Sequence, residues 1–264
     1  MSSLKNKVVW VTGATSGIGE AIVYALAESG AKLVISARRE DELLRVAKKC
    51  NGAEVLVIPI DLADSSNFEA KKNEVLKKYN SIDILINNGG ISQRSLVKDT
   101  SVEVDRKIME VNYIGTVALT KVVLPQLLKQ GGGKIVVTTS TVGKIGTPYR
   151  SGYSASKHAL HGFFDSLRAE LHDDGIRVLL VCPGFIQTNI SVNALVGNGQ
   201  KQGTMDKATA AGLTPKECAR QILEGIKANK QEIVVGGAKE KFGILSKRFF
   251  PGFFSVLIRK MSVK

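Results

Sequence analysis

Tyr153 and Lys157 stand four residues apart, the spacing that puts two side chains on one face of a helix. A phenol with a pKa of ~10 exchanges protons poorly at neutral pH. A neighbouring ammonium favours the phenolate, so this pair could pass a proton to and from a substrate oxygen. Taken alone, Tyr-x-x-x-Lys is a common pattern on solvated helices. Ser140, thirteen residues before Tyr153, makes it informative. A hydroxyl at the carboxyl end of a strand can hydrogen-bond a carbonyl oxygen on which charge develops.

A second chemical feature lies near the amino terminus, Thr12-Gly13-Ala14-Thr15-Ser16-Gly17-Ile18-Gly19. Glycines let a backbone turn sharply and approach a pyrophosphate, and a helix that opens there offers free N–H groups and positive potential. Such a turn in a dinucleotide site is usually followed by an acid that holds the adenosine ribose hydroxyls. The corresponding stretch here, "VISARRE" at 34–40, carries Arg38 and Arg39 in its place.

These residues need a scaffold that brings strand ends and helix starts together. The apolar runs Val8–Val11, Lys32–Ser36, Val55–Pro59, Ile82–Ile86, Lys134–Thr138, Arg177–Val181 and Glu232–Val235 are rich in Val and Ile. They read as strands buried on both faces, the mark of a parallel sheet. Amphipathic segments of helical length separate them. One runs from about Glu20 to Ser29 and stops at Gly30. Two more are predicted to begin at capping boxes, Thr100-Ser101-Val102-Glu103 and Thr214-Pro215-Lys216-Glu217. The alternation predicts an α/β fold, a doubly wound parallel sheet of about seven strands with helices on both faces, in one dinucleotide-binding and catalytic domain over residues 1–264.

Composition narrows the classes. An apolar content of 44% supports a full core. Cys50, Cys182 and Cys218 are odd in number and lack CxxC spacing, which fits a reducing compartment and neither a disulfide framework nor zinc. The start runs straight into a strand, and no stretch is expected to cross a bilayer, which predicts a cytoplasmic protein. The net charge of +13 attracts anions, yet the basic stretches lack the interleaved aromatics that stack bases, so no nucleic-acid partner is expected. His158, His161 and His172 lack a third ligand nearby in sequence and read as surface or helix-packing residues, so no metal is expected. Phe163-Phe164 reads as core or a helix face between subunits.

Two stretches break the alternation. Residues 188–212 are polar and glycine-bearing and follow the sixth strand at its carboxyl end, where ligands bind in such sheets. They suit a substrate lid or a plain surface insertion. The tail, 241–264, combines Lys241, Lys247, Arg248, Arg259, Lys260 and Lys264 with Phe249-Phe250, Phe253-Phe254 and Val256-Leu257-Ile258, and holds no acid. It suits a helix covering the core or a subunit interface, with peripheral membrane contact as the alternative.

Together the motifs closely resemble the short-chain dehydrogenases/reductases. The resemblance rests on TGATSGIG at 12–19, Asp61-Leu62, Asn87-Asn88-Gly89-Gly90, Asn112, Ser140, Tyr153-Ser154-Ala155-Ser156-Lys157, and Pro183-Gly184 with Thr188. They come in the family's order and spacing over roughly residues 5 to 235, and the tail resembles the branch of hydroxysteroid dehydrogenase-like and member 7-like proteins. The resemblance implies an NADP(H)-dependent oxidoreductase, a carbonyl reductase interconverting a ketone or aldehyde with an alcohol. It implies a catalytic tetrad in which Tyr153 exchanges the proton, Ser140 orients the substrate oxygen and Lys157 binds the nicotinamide ribose and lowers the tyrosine pKa. Asn112 would hold a helix kink and a water leading to Lys157. The cofactor would lie on Gly13, Thr15, Ser16, Gly17, Ile18 and Gly19, with Asp61 and Leu62 at the adenine and Asn88 and Gly89 beside it. Pro183, Gly184, Ile186 and Thr188 would border the nicotinamide. Arg38 would take the ribose 2′-phosphate that an acid would repel, with Arg39 flanking the adenine and Ser16 adding a hydroxyl. The family's usual Asn-Asn-Ala-Gly is Asn87-Asn88-Gly89-Gly90 here. The substrate would be a small carbonyl or alcohol, with a lipid-like one suiting the branch, and a homodimer or homotetramer is implied. The rival reading is a membrane-surface or nucleotide-sensing protein on the same fold without turnover.

Overall fold

The computed structural model describes residues 3–260. The chain alternates strand and helix as β1 (Val8–Thr12), α1 (Gly17–Glu28), β2 (Lys32–Ser36), α2 (Glu40–Lys48), β3 (Val55–Val57), α3 (Phe68–Tyr79) and β4 (Ile84–Asn87). It continues through α4 (Val102–Met109), α5 (Gly115–Lys129), β5 (Gly133–Thr138), α6 (Ser151–Glu170), β6 (Ile176–Pro183), α7 (Lys207–Ala210), α8 (Pro215–Lys227), β7 (Glu232–Val235), α9 (Ala238–Phe249) and α10 (Pro251–Lys260). The seven strands form one sheet in the order β3-β2-β1-β4-β5-β6-β7, with every pair parallel. The fold is the doubly wound α/β sheet.

Alternate strand residues explain the two layers. Val9, Val11, Leu33, Ile35, Ile84 and Ile86 pack with Ile22, Leu26, Leu43, Val46, Ile222 and Ile226 from α1, α2 and α8. Trp10, Val34, Leu85, Ile135 and Val137 pack on the opposite face with Phe68, Val75, Leu119, Val123, Leu160 and Phe164 from α3, α5 and α6. Removing a fully buried ring such as Phe164 from such a core costs on the order of 3–5 kcal/mol. Trp10 carries its polar atom into this core satisfied, since its Nε1 donates to Ser36 Oγ at 2.8 Å.

The strand order reverses between β1 and β4, where Val9 pairs Ile84 and Val11 pairs Ile86. That switch point opens a crevice at the carboxyl ends of the strands. The helix after β1 ends as predicted, with Gly30 at φ +72° closing on Ala27. Thr214 caps α8, its Oγ1 accepting from Glu217 N at 3.2 Å. The box predicted at Thr100 does not form: Ser101 is the cap of α4 and makes no side-chain cap bond, because the Thr100 hydroxyl donates to Leu96 O at 2.7 Å.

The bilayer expectation needs one correction. Val102–Lys129 is a continuous helix of 28 residues, long and apolar enough to cross a membrane by length and composition. It comprises α4, a π-helical turn at Glu110–Ile114 and α5, and the buried side chains of α5 pack beneath the sheet. Residues 188–212 are folded down, with Ser191, Ala194, Asp206 and Thr209 buried. The tail forms α9 and α10, in which Phe254 is buried while Phe242, Leu245, Phe249, Phe250, Phe253 and Val256 are exposed. Core covering therefore accounts for Phe254 alone among the large side chains that are fully in or out. Lys264 lies outside the described residues. Cys50, Cys182 and Cys218 are buried and unpaired.

Candidate active site

The glycine turn is fitted to its neighbours so closely that side chains would fill it. Gly13 has φ +66°, and a Cβ there would come within 2.7 Å of Gly89 Cα. One on Gly19 would overlap the Gly13 carbonyl oxygen, and one on Gly17 would meet Thr188 Cγ2 at 2.8 Å. Ser16 caps α1 in extended conformation and its hydroxyl makes no cap bond. The turn is braced from below. Thr12 Oγ1 accepts from Asn88 N at 3.0 Å and from Gly89 N at 3.1 Å. Asn88 Nδ2 donates to Thr12 O and Gly13 O, and its Oδ1 accepts from Thr138 at 3.2 Å. Asn88 thus ties β1, β4 and β5. Sequence reasoning missed Arg45, which donates to Thr15 O at 3.0 Å and pairs with Glu20 at 2.8 Å.

Arg38 and Arg39 follow β2 and are exposed. Among the described residues neither has an ion pair or hydrogen bond through its side chain. Asp61 folds onto its own turn, its Oδ1 accepting from Ala63 N at 3.0 Å. Leu62 explains the Gly89 departure: its Cδ1 lies 2.7 Å from where an alanine Cβ would stand, so the leucine methyl occupies that room.

Ser140, Tyr153 and Lys157 meet at the carboxyl end of β5. Ser140 caps a short 3-10 turn at Thr141–Gly143, accepting from Val142 N at 3.3 Å and donating to Pro183 O at 3.3 Å. Tyr153 lies in the first turn of α6, where Gln93 Oε1 accepts from Gly152 N at 2.7 Å and Tyr153 N at 3.3 Å. Burial raises the phenol pKa, while a hydrogen bond with Ser140 and the charges of Arg94 and Arg150 lower it. The net rise differs from the sequence expectation of a lowered value. Lys157 Nζ lies 5.8 Å from the Tyr153 ring centre and donates to Thr138 O at 2.7 Å. Burial pulls its pKa down to about 8.

Asn112 sits in the π-helical turn, where its side chain pins the helix sideways. Its Oδ1 accepts from Ile91 N at 2.8 Å, and its Nδ2 donates to Ile91 O and to Ser156 Oγ. Gly90 fits between Asn112 Oδ1 and Lys157 Nζ, at 3.0 and 3.6 Å from its would-be Cβ. On the far side of the crevice Pro183 ends β6, Gly184 N donates to Val235 O at 2.8 Å, and Ile186 is buried beside Leu213. Thr188 reaches back to the glycine turn.

A charged cluster with no signature in the sequence stands beside Tyr153. Arg94, after β4, donates through Nε to Asp206 Oδ2 at 2.7 Å, and Arg150 Nη2 reaches the same oxygen at 3.4 Å. A cavity of about 550 Å³ opens there, lined by Arg94, Val196, Gln202, Thr204, Met205, Asp206 and Lys207. The three histidines are scattered. His158 and His172 are exposed, and His161 is buried with Nε2 3.7 Å from Cys182 Sγ. Burial, then the Lys144 charge, lowers its pKa to about 4.

A family model described as short chain dehydrogenase matches residues 7–197. A Drosophila melanogaster protein, "Dehydrogenase/reductase SDR family protein 7-like", is 42% identical over 269 residues, covering 100% of this chain and 82% of its own. A Burkholderia phymatum short chain dehydrogenase/reductase solved with NAD superposes with a TM-score of 0.83 at 23% identity, over 100% of this chain and 99% of that one, a likeness of fold. An alcohol dehydrogenase from Thermococcus sibiricus solved with 5-hydroxy-NADP has a TM-score of 0.76 at 28% identity, over 89% and 97%. By sequence and by fold, the chain belongs to the short-chain dehydrogenase/reductase family, on its member 7-like branch, and is an oxidoreductase that uses a nicotinamide cofactor.

Proposed function

We propose that the protein is an NADP(H)-dependent carbonyl reductase or alcohol dehydrogenase, with Tyr153 as the general acid and base. The observation that carries the reaction is the meeting of Ser140, Tyr153 and Lys157 at one strand end. The fit of a dinucleotide rests on the cradle of Gly13, Gly17 and Gly19, whose would-be Cβ atoms fall on neighbouring atoms, and on the uncapped Ser16 hydroxyl at the start of α1. The bound nicotinamide would supply or accept the hydride.

The chain's own residues do the rest. Ser140 Oγ hydrogen-bonds the substrate oxygen and fixes it near the phenol. In reduction Tyr153 gives that oxygen its proton, and in oxidation it takes the proton back. Lys157, held by Thr138 O, keeps a positive charge below the phenol and reaches the ribose. Asn112 fixes the π-helical turn against Ile91 and α6, so Lys157 is held in register. Arg38, exposed and unpaired beside the end of β2, binds the 2′-phosphate through a charge-assisted fork. Arg39 flanks the adenine. Residues 188–212 form the wall that sets substrate size, and the exposed apolar side chains of α9 and α10 favour a lipid-like substrate taken from a membrane surface.

The test is a fluorescence titration with NADPH and NADH, followed by a panel of ketones, aldehydes and alcohols. Tighter NADPH binding with turnover of at least one ketone supports the reading. Tighter NADH binding overturns the cofactor choice, and binding without turnover across the panel overturns the enzyme assignment.

A further inference from the structure

The glycine turn is gripped from one side by an arginine 30 positions away. Helix α2 begins directly after Arg38 and Arg39, and Arg39 stands at its N-cap position. Leu43 and Val46 of α2 are buried in the core, while Arg45 reaches toward α1. Its three guanidinium nitrogens take three partners: Nε donates to Glu42 Oε2 at 2.8 Å, Nη1 to Glu20 Oε1 at 2.8 Å and Nη2 to Thr15 O at 3.0 Å. Glu20 Oε1 also accepts from the Tyr24 hydroxyl at 2.7 Å. Burial raises the Glu20 carboxyl, but the bonds from Arg45 and Tyr24 outweigh it and hold its pKa below the ordinary carboxylate value. The Arg45 side chain is 35% and that of Glu20 20% exposed, and ion pairs that reach solvent add little stability. The bond to Thr15 O is the one that falls on the cofactor cradle.

That bond fixes a peptide plane. The carbonyl oxygens of Thr12 and Gly13 are held from below by Asn88 Nδ2. Ala14 N donates to Ser36 O at 3.2 Å, which sets the turn against the end of β2. Across a planar trans peptide the carbonyl and the following N–H point in opposite directions. With Thr15 O drawn toward α2, the Ser16 N–H is turned away from Arg45. Among the described residues no backbone acceptor takes that N–H. Ser16 is exposed, and its hydroxyl makes no cap bond. Two donors of one residue are thus presented outward, beside the strand end that Arg38 follows.

We propose that Arg45 is a positioning residue for the cofactor: by holding Thr15 O it aims the Ser16 N–H and hydroxyl at the 2′-phosphate that Arg38 binds. The inference rests on the reading of Arg38 as the 2′-phosphate ligand. Arg45 acts on the cofactor through Ser16. It also keeps a cation between Glu20 and Glu42, two carboxylates that would otherwise repel a phosphate beside the turn. Because α2 starts at Arg39 and reaches back through Arg45, one helix ties the arginine end of the adenosine site to the glycine turn.

The test is the ratio of the NADH to the NADPH dissociation constant, from fluorescence titrations without substrate, beside a circular-dichroism melt of the cofactor-free protein. Arg45→Met should weaken NADPH about 10-fold and NADH by about two-fold at most, so the ratio falls at least about five-fold. Ser16→Ala should lower the ratio as well. The double variant should fall short of the product of the two losses, because one residue acts through the other. A role confined to holding α1 and α2 together would weaken both cofactors alike or lower the melting temperature alone; either result, with the ratio unmoved, overturns the inference. Losses that multiply in full in the double variant overturn it too. Should Arg45→Met not fold, Arg45→Lys keeps the charge, lacks the planar fork that bonds Glu20 and Thr15 O together, and still demands the lower ratio. A wild type that prefers NADPH, with variants that keep the preference, overturns this inference alone. A wild type without the preference, or an Arg38→Ala variant that retains it, overturns the reading beneath it.

Discussion

Acid should weaken this fold through His161 in a way that can be worked out in advance. The ring is 7% exposed and lies under the turn that carries Ser140, its Nε2 3.2 Å from where a Gly143 Cβ would stand. Its Nδ1 has no hydrogen-bond partner, and Glu232 Oε2, 3.8 Å away, is already held by Lys144 at 2.6 Å. Burial and Lys144 together keep the ring neutral, with a pKa of about 4 against 6.5 for the free side chain. The folded pKa of this base is lowered, so between pH 6.5 and 4 the unfolded chain binds a proton that the folded one refuses, and stability is lost as the pH falls. The full loss across that window is about 3 kcal/mol, and about 2 kcal/mol of it accrues between pH 7 and 5. Denaturant unfolding at both pH values measures it. His161→Gln should shrink the pH 7 to 5 difference by about 2 kcal/mol, whatever it does to absolute stability. An equal difference in both proteins would refute the buried neutral histidine.

Other expectations follow from single contacts. Arg38→Ala should weaken NADPH binding about 10- to 100-fold while leaving NADH within a few-fold, as loss of a charge-assisted bond requires; parallel losses would mean Arg38 does not read the phosphate. Gly19→Ala should abolish cofactor binding or folding, since its Cβ overlaps the Gly13 carbonyl, and circular dichroism beside the titration separates the two. Sedimentation with anionic vesicles should capture the protein, and charge-reversing Lys247 and Arg248 should release it. Capture that ignores those charges, or a dimer that buries α9 and α10 instead, would reassign the tail.

The legible and illegible parts of this chain divide by sequence distance. Strands such as Lys32–Ser36 and Glu232–Val235 announce themselves because burial on both faces forces continuous Val and Ile. The glycine turn and the Tyr153–Lys157 pair were readable because strand, turn and helix are contiguous. Arg94 and Asp206 were not, being 112 positions apart and looking like ordinary surface charges until loops meet. Nor is the direction of the Tyr153 shift legible: a lysine four positions on is visible in sequence, but the burial that raises the phenol pKa is not. The Thr100 box failed for a local reason, since its hydroxyl found Leu96 O four residues back and left the cap to Ser101. The π-helical turn at Asn112 depends on a side chain reaching Ile91, and periodicity carries no trace of that.

In the proposed reaction Tyr153 moves the proton, in a site otherwise intact without it. Tyr153→Phe removes one oxygen and leaves the ring, Ser140 and Lys157 in place. The measurement is ketone reduction by this variant, read beside its NADPH titration. Turnover should fall by at least about 1000-fold with NADPH affinity within a few-fold of the wild type. Turnover close to the wild type, with the same ketone and cofactor, would mean that another group moves the proton.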